Sequence, residues 1–172
     1  LLGNEPALQI QDGKLNLNPS YCWVDCWTFE RLLSQADAAS TLKDVDKAIG
    51  LTEKALSTYK GAFLAGDELA PWAVSRRERL RSRFLLAVNR LGRDLESLDK
   101  WEKAAGYYHR SLDIDDLSEK TYQRLMRCLQ HLGQKAEALS VYNRCQKTLH
   151  AALGLAPSPE TQAIYRSLVD KG

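Results

Sequence analysis

The chain is predicted to be all-α, a right-handed helical solenoid of about seven helices preceded by a short N-terminal β-hairpin. Three observations predict it. Val88-x-x-Leu91-Gly92-x-x-Leu95 returns thirty-four residues later as Tyr122-x-x-Leu125-Met126-x-x-Leu129, and the same offset lays Ala104 on Ala138, Tyr108 on Tyr142 and Ser111 on Cys145. From Asp25 onward apolar residues recur at helical spacing. Strict apolar/polar alternation is confined to the first twenty residues, on either side of Asp12-Gly13.

Taken in order, Ala7–Gln11 and Lys14–Asn18 flank an Asp-Gly pair, the favoured two-residue hairpin turn because both central residues need positive φ. That turn sets Ile10 opposite Leu15 and Leu8 opposite Leu17, with all four side chains on one face. A lone hairpin is marginal in water, so this one either packs on the helices or ends a sheet domain that precedes it. Asp25 is the expected N-cap of the first helix, with Val24 and Phe29 as a hydrophobic staple, and Phe29, Leu32, Leu33 and Ala36 form its stripe. A second helix carries Ala48, Leu51, Ala55, Leu56 and Tyr59, and the pair reads as a degenerate first repeat. The segment from Lys60 to Asp67 has two glycines and reads as a turn that buries Phe63 and Leu64. Pro71 opens one long helix through Trp72, Leu80, Phe84, Val88, Leu91, Leu95 and Leu98, with Arg76 as the place where a kink would fall. Helices over Trp101–Leu112, Ser118–His131 and Lys135–Leu153 complete the repeats, and Gly133 permits the tight turn before the last of them. Ser158-Pro159-Glu160 starts a short closing helix through Ile164 and Leu168.

Large residues of a first helix packed around a small residue of a second are the layout of tetratricopeptide repeats. Such repeats build a surface for holding another molecule and bring no reacting group with them. With 44% hydrophobic and 27% charged residues, the composition is that of an ordinary globular chain. A formal charge of +2 does not by itself indicate a polyanion partner. No apolar run reaches the roughly 18 residues that cross a bilayer, and the start has no basic region leading into an apolar one. The start also lacks Met, which suggests a piece of a longer protein. Cys22, Cys26, Cys128 and Cys145 are expected to be reduced thiols of a cytoplasmic protein. Only Cys22 and Cys26 are close in sequence, so no zinc site is expected, and Cys145 stands at a small-residue packing position.

Motifs for catalysis are not found. The chain has no G-x-S-x-G elbow, no phosphate-binding G-x-x-x-x-G-K-[ST] loop and no H-E-x-x-H, and no cofactor is implied. His109, His131 and His150 fall near helix ends. Asp113, Asp115 and Asp116 lie in an inter-repeat turn, suited to capping the next helix and lacking calcium-loop spacing. Arg76, Arg77, Arg79, Arg81 and Arg83 place five arginines in eight residues, a candidate basic surface for phosphates. On a helix they spread around the circumference, so a solvated, ion-paired face is the simpler reading. Asn89 and Arg93 occupy the repeat positions of Gln123 and Arg127. An amide and a guanidinium repeated on the first helices form a candidate groove for a carboxylate or an extended acidic peptide.

Five ordered pieces then carry a family resemblance. They are Trp23-Val24-Asp25-x-x-x-Phe29-Glu30-x-Leu32-Leu33, Tyr59-Lys60-Gly61-x-Phe63-Leu64, Trp72 with Arg77 and Arg79, Glu137-Ala138-Leu139-x-x-Tyr142, and Leu153-Gly154-x-x-Pro157-Ser158-x-Glu160-Thr161. Together, over about Trp23 to Leu168, they resemble the bacterial transcriptional activator domain, the tetratricopeptide-like part of SARP-type regulators. Met126 in place of a glycine and Asp116 in place of a proline depart from the repeat pattern. The resemblance implies a winged-helix DNA-binding domain upstream. Residues 1–20 are then its closing strands, and residues 21–172 are a regulatory domain that supports dimerisation, contact with transcription machinery or signal relay. It implies no catalytic residue, and DNA contact only through the upstream domain. A free-standing adaptor that holds a peptide in its groove is the alternative, and an enzyme accessory domain is a more distant one.

Overall fold

A computed structural model describes residues 7–64 and 71–170. In chain order the elements are β1 (Leu8–Gln11), β2 (Lys14–Leu17), α1 (Asp25–Thr41), α2 (Val45–Thr58), α3 (Pro71–Ser97), α4 (Trp101–Leu112), α5 (Glu119–His131), α6 (Lys135–Leu153) and α7 (Pro159–Val169). They divide between two compact units, residues 1–80 and 81–172, with the boundary inside α3.

In the first unit the hairpin has the expected register, Leu8 facing Leu17 and Ile10 facing Leu15 across antiparallel strands. Asp12 and Gly13 both take positive φ, as a turn of this type needs. The loop after it is tied back where Asn18 N–H donates to the Ala7 carbonyl at 2.9 Å. The apolar face is exposed: Ile10 is 80% exposed and Leu15 66%.

Helices α1 and α2 pair through Phe29, Leu33, Ala36, Ala48, Ala55 and Leu56, all buried, with the Phe29 and Tyr59 rings 5.6 Å apart. Two expectations are corrected here. The N-cap is Val24, not Asp25. Asp25 is the first helical residue, and its carboxylate accepts from Cys26 N–H at 2.7 Å without reaching deeper into the first turn. Nor does the turn after α2 bury Leu64, which is 43% exposed while Phe63 is half-buried. Arg77 accounts for this by donating to the Phe63 and Leu64 carbonyls at 2.9 and 3.0 Å, which holds the backbone inward. The rest of that turn, Gly66 and Asp67 included, lies outside the described residues.

The second unit is built on the repeat. Val88, Leu91 and Leu95 of α3, Ala104 and Tyr108 of α4, Tyr122 and Leu125 of α5, and Ala138 and Cys145 of α6 are all buried, matching the offset of thirty-four position by position. Gly92 is needed where it stands, because a Cβ there would lie 2.3 Å from the Tyr108 ring. Met126, at the equivalent position, is fully buried, and Tyr142, the counterpart of Tyr108, stacks on Tyr165 at 4.3 Å. Gly133 and Gly154 take positive φ at the ends of α5 and α6. Ser158 caps α7 by accepting from Thr161 N–H, and α7 lies against α5 and α6. The aspartates of the α4–α5 turn do not cap α5, whose N-cap residue is Ser118. Asp115 instead faces Arg81 at 3.4 Å.

Candidate functional site

The arginine run has to be described in two parts. Within the first unit, Arg76 pairs with Glu30 at 2.5 Å and reaches the Cys26 sulfur at 3.9 Å, while Arg79 stands 3.5 Å from the same Glu30. Arg77 holds the turn carbonyls already named. Within the second unit, Arg81 pairs with Asp115 and donates to the Ile114 carbonyl at 3.3 Å, and Arg83 is half-buried. Four of the five guanidiniums are thus directed at groups of their own unit.

The repeated quartet separates by chemistry. Asn89 donates its amide to the Leu85 carbonyl at 3.0 Å. Gln123 donates to Thr161 Oγ1 at 2.8 Å, which turns it toward α7. The two guanidiniums are different. Arg93 and Arg127 are exposed, and neither forms an ion pair among the described residues. Arg93 donates to the Asn89 carbonyl, one turn below it, at 3.3 Å.

Around them lies an electrostatic frame that pattern reading missed. Glu96, one turn beyond Arg93, pairs with Arg124 of α5 at 2.8 Å and accepts from the Tyr108 hydroxyl at 2.5 Å. Burial, then that hydrogen bond and the Glu96 charge, push the Tyr108 phenol well above its usual range, so it stays a donor. At the end of α5, His131 stacks flat on Trp101 with ring centroids 3.9 Å apart. One signal was available in the sequence: Arg124 stands thirty-four residues after Arg90, so the cationic positions repeat in pairs.

A second cluster fixes the last helix. Glu119 accepts from Ser158 N–H at 2.7 Å and from the Thr161 hydroxyl. Burial opposes its charge, but these hydrogen bonds outweigh burial and hold the carboxyl below the ordinary range. Cys128 and Cys145 are buried in the same unit, and burial pushes both thiols up to about 12, so they act as small apolar residues. Among the described residues no three His, Cys, Asp or Glu side chains gather to hold a metal, and no helix is long and apolar enough to cross a membrane. What the geometry provides is a row of cationic side chains, Arg90, Arg93, Arg124 and Arg127, repeated at an offset of thirty-four residues on α3 and α5.

The family profile of the bacterial transcriptional activator domain matches residues 24–169. The regulatory protein AfsR of Streptomyces coelicolor is 32% identical over 147 residues, which are 85% of this chain and 15% of that protein. The chain therefore spans about 15% of the length of that curated relative. Among solved structures, Mycobacterium tuberculosis EmbR in complex with a low affinity phosphopeptide superposes with a TM-score of 0.68 at 16% identity, over 96% of this chain and 44% of that one. The Sgt2 TPR domain from Aspergillus fumigatus superposes with a TM-score of 0.52 at 18% identity, over 83% of this chain and 78% of that one. These structural likenesses establish the tetratricopeptide-like helical fold.

Proposed function

The chain belongs to the bacterial transcriptional activator domain family, and from that we propose that it is the regulatory, protein-binding domain of a cytoplasmic transcriptional activator. The match over residues 24–169 carries this reading. Its role is to relay a signal or to hold a partner, either a second copy or a component of the transcription machinery. We assign residues 1–20 to the end of an upstream winged-helix domain, and residues 21–172 to the regulatory domain. The outward apolar face of the hairpin, Leu8, Ile10, Leu15 and Leu17, supports that assignment, since such a face is stable when a neighbouring layer covers it. DNA contact then belongs to the upstream domain.

A promoter-fused reporter tests the reading. In the longer protein, removal of residues 21–172 is expected to abolish activation while promoter binding by the upstream domain persists. Undiminished activation would favour an adaptor without a role at the promoter. The 172-residue chain by itself is expected to bind duplex DNA weakly and without sequence preference, with affinity that falls steeply as salt rises. Tight sequence-specific binding by this chain would overturn the assignment of the hairpin.

A further inference from the structure

We infer that the exposed face shared by the second half of α3 and by α5 binds an acidic peptide segment with an apolar residue beside its carboxylates. The inference rests on reading the chain as a protein-binding domain, and names the surface and the chemistry of its partner.

Helical geometry defines the face. Residues at i, i+4 and i+7 lie within one narrow stripe. On α3 these are Leu86, Arg90 and Arg93; on α5 they are Lys120, Arg124 and Arg127, with His131 one turn further. The two stripes correspond residue for residue at the repeat offset, and the Glu96–Arg124 pair joins the two helices beside them. Leu86, Arg93, Lys120, Arg127 and His131 are all exposed, and Leu86 at 70% is a large apolar side chain left in water.

Charge accounting identifies the ligand. Other arginines of this unit have internal roles: Arg81 on Asp115, Arg124 on Glu96, Arg144 on the Leu112 carbonyl and Arg110 over the Phe84 ring. Arg93, Lys120 and Arg127 form no ion pair among the described residues. Because Asn89 and Gln123 are engaged internally, the face offers cations and very little amide, so it selects carboxylates rather than peptide groups. The row ends after two repeats. Thr161, thirty-four residues beyond Arg127, is buried against Glu119. Carboxylates at i and i+2, which share one face of an extended segment, with a Leu-like residue toward Leu86, fit this arrangement.

The test is fluorescence anisotropy of a short fluorescein-labelled Glu/Leu peptide with the 172-residue chain at low salt. Binding is expected, weakening as salt rises, and the Arg93→Gln, Arg127→Gln double variant is expected to bind about tenfold or more weakly with unchanged helicity. Arg166→Gln, an exposed arginine on α7 away from this face, is expected to bind as the parent does. Absence of binding by the parent chain, equal binding by the double variant, or an equal loss in Arg166→Gln would each overturn the inference. So would duplex DNA displacing the peptide from the same two arginines at equal concentration, which would make the face a nucleic-acid surface. None of these outcomes alters the reporter result, so this inference and the regulatory role fail separately.

Discussion

Gly92 and Met126 stand at the same repeat position, and both are buried. In the first regular repeat the Tyr108 ring descends onto Gly92, where its hydroxyl meets Glu96 and, through Glu96, Arg124. A methyl group at Gly92 has nowhere to go, since the ring it meets is fully buried and hydrogen-bonded. Gly92→Ala is therefore expected to destabilise the fold by about 1–3 kcal/mol, as overpacking of a filled core does. Thermal melting measures this, and an unchanged midpoint would mean that the ring yields freely. The close approach of Tyr108 to Gly92 was not legible from the repeat, which has Met126 at the same position, and neither was the link from Tyr108 through Glu96 to Arg124. Sequence spacing places side chains on faces, but does not reveal which of several nearby acids an arginine chooses.

Among the elements, α7 depends most plainly on one charge. Glu119 of α5 receives the Ser158 N–H and the Thr161 hydroxyl at the α7 N-terminus, and its pKa is lowered in the folded state. Since the folded value lies below the unfolded one, the stability it contributes is complete above the ordinary carboxylate range and is lost as pH falls through the folded value. Melting of the parent chain is expected to fall more steeply into acid than that of Glu119→Gln, with the loss reported at α7 by amide exchange. Parallel pH profiles for the two proteins would remove this linkage. The helix boundaries were largely readable: α4 and α6 run over the expected residues, and α5 begins one residue after Ser118. The Asp25 and Asp115 caps were misread for one reason. A short acid can serve the helix beneath it or a cation elsewhere, and Arg81 makes the choice for Asp115.

At the scale of the molecule, the hairpin presents Leu8, Ile10, Leu15 and Leu17 outward on two short strands. An uncovered apolar face of this kind promotes association in water. The 172-residue chain is expected to associate with itself at high concentration, and Ile10→Thr with Leu15→Thr to reduce that association without loss of helicity. Sedimentation measures it, and equal association of the two proteins would place the sticky surface elsewhere. If an upstream domain covers this face, as proposed above, the longer protein associates less than the chain alone.

Periodicity and turn chemistry alone determined the helices, the hairpin with its register, and the repeat with its buried positions. These follow from local dihedral preferences and from which residues must leave water, both of which are written along the chain. Tertiary structure decided which polar groups of the repeated quartet remain for a partner. Asn89 and Gln123 found acceptors within the fold, while Arg93 and Arg127 pair with no acid among the described residues. That choice depends on distances between residues such as Gln123 and Thr161, thirty-eight positions apart, which only the packed chain brings together.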